Sequence, residues 1–443
     1  MANVELPTGS RATVVDAMAI VQAIQGENLT FDELSDTILK KVLNEGWGSA
    51  RIDVVFDLYI EHSIKAAERV NRGSQRGILF SQIKPGHRIK NWRRILASTE
   101  SKAKLTIFLA ENWKEQHSRD TLGKIILMVI SGEKCFQISK DDVLEIEQLR
   151  STHEEADTRM MIHVQHEAAN YNKTVVISED TDVFIILLSL HSQMGTRILL
   201  RRGKKNAVRL IDISRLGTIL GKDVCAALIG VHAYTGCDSI SCFSGQGNVK
   251  AINLICKNQV YREMFTDFGH EWHITEDMFQ VIQAFTCSMY YLNTNIKEVN
   301  KLRYEMFRSR KGDISSGLLP PCEDALRQHT NRANYQAAIW RRSLDSSPQI
   351  PSPTDGHGWN LIDGELGICW LTRPPAPDVV LELMACKCPR RCDETCPCVM
   401  NGLSCTPACI LQDCTNMQDE NEVQSDDMED SDSDEGLTSC KVG

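Results

Sequence analysis

No apolar run in this 443-residue chain is long enough to cross a bilayer. The longest strongly apolar stretch, Val183 to Leu190, falls far short of the roughly 20 residues a membrane helix needs. The N-terminus, MANVELPTGSRATVV, lacks the basic start and apolar core of a secretory signal. Both absences predict an intracellular chain with no membrane partner. Basic residues are missing from Met417 to Glu435, a stretch whose ten acids equal the whole net charge of -10. The rest of the chain is therefore close to neutral, and this acidic tail is expected to be disordered.

Upstream the balance reverses. From Arg69 to Lys104 ten Lys or Arg stand against the single Glu100, and Trp92 lies between Lys90 and Arg93/Arg94 in HRIKNWRRIL. Such a segment attracts phosphate, although a solvated helix face has the same composition. Residues 1 to about 340 alternate strand-like and helical runs, among them ATVVDAMAIVQAI, RIDVVFDLYI, KIILMVI, TVVISED and CAALIGVHAYTGCD. The alternation predicts an α/β fold with a mostly parallel central sheet flanked by helices. SLDSSPQIPSPTDGHG, Ser343 to Gly358, reads as a Pro/Ser linker. The expected division is a domain at 1–342 (core 13–255, helical extension 256–342), the linker at 343–358, a Trp/Pro and cysteine-rich segment at 359–416 and the tail at 417–443.

Acids recur where apolar runs end. Asp16 ends the first predicted strand and Asp57 the second, Asp180 and Asp182 interrupt VVISEDTDVFIILL, and Asp238 closes VHAYTGCD. Glu154, Glu155 and Asp157 open a helix in STHEEADTRMMIHV. In a parallel sheet the strand ends share one edge, where ligands sit. Carboxylates gathered there repel one another and resist burial unless a cation or a helix N-terminus offsets them. Taken singly, each acid is explained by capping: Asp16, Asp57 or Asp180 at an N-cap, and Thr152 with Glu155 as a capping box. Capping gives no reason to choose an acid over Ser or Thr every time. The recurrence points to hard divalent cations, Mg²⁺ or Mn²⁺, held by oxygen ligands.

In this order the residues resemble the flap endonuclease/XPG nucleases of the PIN-like superfamily, over about Thr13 to Ile255. Asp16 in VVDAMAIV is similar to the family's first aspartate and Asp57 in VVFDLYIEHSIK to its second. Lys65 and Arg72 stand where the family carries basic residues that contact the scissile phosphate. Glu155 and Asp157 in EEADTR resemble its paired acids, with Glu154 an alternative because it shares a helix face with Asp157. SEDTDVFI resembles its paired-aspartate strand end, giving Asp180 and Asp182. TGCDSISCFSGQGNVKAINLI resembles its last aspartate, Asp238, followed by a helical DNA clamp. The resemblance implies a two-metal hydrolysis of phosphodiester bonds in branched or single-stranded DNA, or in RNA. In the clamp segment Gly245 and Gly247 permit close backbone approach, and Lys250 with the amides of the following helix suits phosphate. Arg93 and Arg94 are further candidates for nucleic-acid contact.

Eight of the 17 cysteines are Cys386, Cys388, Cys392, Cys396, Cys398, Cys405, Cys409 and Cys414. Thiols this dense in an intracellular chain read as ligands for two or three Zn²⁺ ions, whose binding supplies folding energy that so short a segment lacks. The stretch resembles the tesmin-type CXC module, in which nine cysteines bind three zincs. Here Leu411 stands at its eighth position, and Thr395 precedes the fourth cysteine where DNA-binding repeats carry tyrosine. The leading expectation is a structure-selective, metal-dependent nuclease with a zinc module, placed in the nucleus by its substrate and by basic runs such as RRGKK. A catalytically silent nucleic-acid or chromatin-binding protein is the alternative. A third reading is an adaptor that engages a protein partner through the cysteine-rich module or the acidic tail.

Overall fold

The computed structural model describes residues 11–59, 63–65, 82–203, 207–309, 316–362, 364–373, 386–400, 405, 409–411, 414 and 416. The chain divides into two compact units. One comprises Met1–Ile229, Ala337–Ser352 and Leu361–Leu366; the other comprises Gly230–Gln336, Pro353–Asn360 and Gly367–Gly443.

The first unit is built on an eight-stranded sheet in the order β5-β4-β3-β2-β1-β6-β7-β8. Its strands are β1 (Arg11–Asp16), β2 (Arg51–Val55), β3 (Ile126–Ser131), β4 (Lys134–Ile138), β5 (Val143–Glu145), β6 (Lys173–Ile177), β7 (Arg197–Arg202) and β8 (Arg209–Asp212). Strands β3, β2, β1, β6 and β7, adjacent in that order, run parallel, and antiparallel pairings finish both edges. The fold is thus the expected α/β class with a mixed, mostly parallel sheet. Val14, Val15, Val54, Val176 and Leu199 have no exposed surface. Helices cover both faces, which is why these strands read as continuous β-branched runs rather than alternating ones.

One face carries α1 (Ala17–Gln22), α2 (Phe31–Glu45), α3 (Trp92–Ala97) and α4 (Thr99–Lys114), packed on Val15, Ile52, Val54, Leu127 and Val129. A capping box between Thr30 and Glu33 fixes the start of α2. After the short α5 (Gln116–Asp120) and the β3–β5 meander comes α6 (Ala156–Glu167), whose Ile162 packs with Met128 and Cys135 of the sheet. Next follow α7 (Thr181–Leu190), α8 (Ile213–Leu220) and α9 (Lys222–Thr235). No single described helix is long and apolar enough to cross a membrane; the pair α8 and α9, bent by 103°, passes that test jointly, by length and composition alone.

Two local expectations need correction. VHAYT lies in α9, so Asp238 follows a helix and ends no strand. A helix buried all round has the same unbroken apolar run as a buried strand. Thr152 and Glu155 form no capping box: Glu155 is the N-cap of α6 and its side chain makes no capping bond, while the Thr152 amide donates to the Ser346 carbonyl at 3.0 Å. Trp92 is 2% exposed and donates its indole N–H to the Ile24 carbonyl at 2.8 Å, so it is a core residue. Arg93 and Arg94 beside it are exposed.

The described part of the second unit is largely helical. It includes α10 (Asn248–Lys257), α11 (Gln259–Asp267), α12 (Glu276–Tyr290), α13 (Val299–Arg308) and the larger part of α14 (Glu323–Arg341). Tyr234 packs among Phe243, Phe265, Phe268, Phe285 and His329, with its hydroxyl 2.6 Å from that of Thr286. The stretch from Ser343 to Gly358 contributes to both units: in the first, His153 Nε2 meets the Asp345 carbonyl at 2.8 Å, and in the second His357 stacks near Tyr335.

Candidate functional site

The sheet order creates the site. The chain lays β2 and β3 on one side of β1, then crosses through α6 to lay β6 and β7 on the other. That reversal is a topological switch point, and ligands in open α/β sheets bind at the carboxyl ends of the strands beside it. Asp16 pairs in register with Val55 of β2, and Val15 with Ile177 of β6. The residues just past these strands, Asp57, Asp180 and Asp182, therefore gather at the same edge as Asp16. Oxygen atoms of Asp157, Asp180 and Asp182 lie within 4.8 Å of one another, a spacing that can hold a metal ion.

Capping and clustering coexist here. Asp16 accepts the Ala19 N–H at 3.3 Å as the N-cap of α1. Asp180 is the N-cap of α7 and accepts the Asp182 N–H at 2.8 Å. Asp57 accepts the Ala156 N–H at 2.9 Å, capping α6 from another part of the chain. Three helix N-termini thus aim at the acids, and their amides offset part of the negative charge. Lys65 adds a cation, with Nζ 3.3 Å from Glu155 Oε1. The Glu154 carboxylate instead accepts from the Ser63 hydroxyl at 2.6 Å.

That compensation is incomplete. Burial, with Asp57 and Asp180 nearby, pushes the Asp16 carboxyl up to about 6 despite its backbone bonds. Burial likewise raises Glu155 and, further, Asp157, against the opposing pull of Lys65 and with the help of neighbouring carboxylates. Burial disfavours the Lys65 charge, but Glu155, Asp57 and Asp157 outweigh it and raise its pKa. An all-oxygen set this acidic fits a hard divalent cation. Acids whose pKa is raised in the fold stabilise it most below their ordinary range of about 4, and that contribution is lost as pH rises through the raised values. Protein stripped of divalent ions should then gain more in melting temperature from Mg²⁺ or Mn²⁺ at about pH 8 than at about pH 5. An equal gain at both would place the cation elsewhere.

A second network lies beneath, on the face of β2 that α6 covers. Asp53, fully buried, receives Arg51 Nε and Nη2 at 2.6 Å each and His163 Nδ1 at 2.6 Å. His166 Nδ1 accepts from Arg51 at 2.9 Å. Burial opposes charge on Asp53, yet Arg51 and His163 hold its carboxyl down to about 2. Burial holds His163 below its ordinary value, so it donates as neutral imidazole. Sequence reasoning missed this set; the one local sign was an Arg-x-Asp pair inside an apolar strand.

Arg72 lies outside the described residues. Asp238 is exposed in the second unit, inside a tight bridge between Cys237 and Ile240. Gly245 has φ +67, a conformation side chains rarely adopt, and Gly247 is the N-cap of α10. Lys250 Nζ sits 3.1 Å from Gln246 Oε1, and burial lowers its pKa.

Cysteines form the other centre. Three sets have sulfurs close enough to hold a metal: Cys386, Cys388, Cys392 and Cys396; Cys386, Cys398, Cys405 and Cys409; and Cys392, Cys405 and Cys414. Each pair of sets shares one residue, namely Cys386, Cys392 or Cys405. Sγ separations are 3.6 Å for Cys386–Cys392, 3.9 Å for Cys386–Cys405 and 3.8 Å for Cys398–Cys409. Two thiolates on one tetrahedral zinc, each bonded at ~2.3 Å, stand about 3.8 Å apart. Backbone N–H bonds from Val399 and Cys398 lower Cys396 to about 6, whereas burial and neighbouring thiols push Cys398 up to about 12. Metal binding must therefore displace protons. The cluster can hold zinc. No family model matches this chain, and no curated protein does.

Proposed function

We propose that this protein is a divalent-metal-dependent, structure-selective nuclease of the flap endonuclease-like type, acting on DNA or RNA. The observation that carries the proposal is the meeting of Asp16, Asp57, Glu155, Asp157, Asp180 and Asp182 at one sheet edge with Lys65 among them. A purely structural edge has no use for so much like charge.

In this reading Asp157, Asp180 and Asp182 hold one Mg²⁺ or Mn²⁺, while Asp16, Asp57 and Glu155 supply the oxygens for a second. Bound divalent cations supply Lewis-acid stabilisation of charge on the scissile phosphate. Lys65, kept protonated by its acidic neighbours, neutralises a non-bridging phosphate oxygen as negative charge builds. The three helix N-termini hold the carboxylates in fixed orientation before substrate arrives. Arg93 and Arg94 bind substrate phosphates, and α10 with Gly245, Gly247 and Lys250 is a further phosphate-binding element. Action in the nucleus belongs to the same proposal.

The test is the full chain on labelled flap, hairpin and single-stranded substrates of DNA and RNA, in Mg²⁺, Mn²⁺ or EDTA. Cleavage with either ion and none in EDTA is expected. Lys65→Ala should lower kcat by about 10²–10³-fold, the cost of removing one preorganised donor to a charged transition state. Folded protein that binds these substrates with steep salt dependence yet cuts none would be the silent binder instead.

A further inference from the structure

The cysteine sets number four, four and three. Among the described residues, three tetrahedral zincs sharing Cys386, Cys392 and Cys405 are thus one donor short of closure, and the gap falls in the set of Cys392, Cys405 and Cys414. Among the described residues no fourth donor completes that set. Leu411 packs against the cysteine cluster with an apolar side chain that cannot ligate. Asn416 is occupied otherwise: its side-chain Nδ2 donates to Cys405 Sγ at 3.3 Å and its carbonyl accepts the Cys405 N–H at 3.0 Å. It steadies the sulfur shared by two of the sets, the role of groups that surround metal ligands.

We propose that Cys392, Cys405 and Cys414 form a three-thiolate zinc site whose fourth position accepts an exogenous imidazole nitrogen, free or on a partner's histidine. Closed four-thiolate zinc is structural, whereas three protein ligands leave zinc a position for an outside donor. Imidazole suits zinc, and a neutral donor adds no charge to a site already ringed by thiolates. The two other sets, each with four cysteines, are saturated and anchor the fold of the segment. The proposal stands apart from the nuclease reading, since it uses none of the acids at the sheet edge.

Cobalt(II) is the probe. The full chain is loaded with Co²⁺, metal content is measured by native mass spectrometry, and visible d–d bands are followed during imidazole titration. Three ions per chain are expected, with imidazole altering the bands of about one third of the cobalt. Leu411→Cys, which restores a ninth thiol, should keep three ions and lose the imidazole response. Asp413→Ala removes the carboxylate next to Cys414 in sequence, a residue outside the described set, and should leave the spectrum of the imidazole-free protein unchanged. Two ions per chain, bands indifferent to imidazole, or a spectrum altered by Asp413→Ala would each overturn the proposal. Because the wild-type titration and the Asp413→Ala spectrum are read separately, misfolding of Leu411→Cys alone leaves the test decisive.

Discussion

Asp180→Asn/Asp182→Asn is expected to reduce cleavage by about 10³-fold or more while leaving the metal-free protein at least as stable as wild type at neutral pH. Removing a metal site removes several kcal/mol of transition-state stabilisation, and each 1.36 kcal/mol is tenfold in rate. Asparagine is the informative replacement because it caps a helix about as well as aspartate. The bond from the Asp182 N–H to the side chain at position 180 survives, so loss of α7 cannot explain the result. Stability should hold or rise, since two negative charges leave a cluster in which Asp16, Glu155 and Asp157 are already pushed toward protonation. Cleavage rates in Mg²⁺ and Mn²⁺ and a melting curve in EDTA check both halves. Retained activity would sink the assignment of these two aspartates to the ion site.

Asp53→Ala should cost about 3–5 kcal/mol, the range found when one partner of a buried ion pair is removed. The substitution removes the carboxylate that Arg51 Nε, Arg51 Nη2 and the His163 ring meet at 2.6 Å, leaving Arg51 with His166 at 2.9 Å and the buried Glu167 at 3.9 Å. Urea unfolding of the full chain, followed by tryptophan fluorescence, measures the loss. Trp113, wholly buried on α4 in the first unit, is a suitable reporter. Because Asp53 is held down to about 2 in the fold, its stabilising contribution is present above its ordinary pKa of about 4 and lost as pH falls through the lowered value. Wild type and variant should therefore converge in stability toward strong acid. A loss under about 1 kcal/mol at neutral pH would mean that the network is replaceable by packing alone.

The parts of this fold legible in the sequence are those governed by local pattern. The runs around Val14, Ile52, Val129 and Val175 are β-branched and short, so strands were expected there, and Asp16, Asp57, Asp180 and Asp182 could be placed at or just past strand ends without knowing the register. Ambiguity began where period gives no answer. Residues 225–231 are an unbroken apolar run because that part of α9 is largely buried, and such a run suits strand and helix alike. Long-range partners were illegible for another reason. Asp57 caps α6 across a separation of 99 residues and Asp53 meets His163 across 110, and no local rule selects such pairs. Trp92 has charged neighbours in the sequence, yet one face of a six-residue helix is enough to bury it.

The sheet order also bears on how the chain is made. β1 is the earliest strand described, yet it is central, flanked by β2 some 40 residues later and by β6 some 160 residues later. A ribosome adding about 5–20 residues per second leaves one side of β1 unpaired for several seconds or longer before β6 emerges. During that interval an apolar strand with open backbone groups is a template for the wrong neighbour, including the same strand in another nascent chain. The arrangement that brings the acids to one edge thus leaves the centre of the sheet incomplete until Ile177, the end of β6, has left the ribosome.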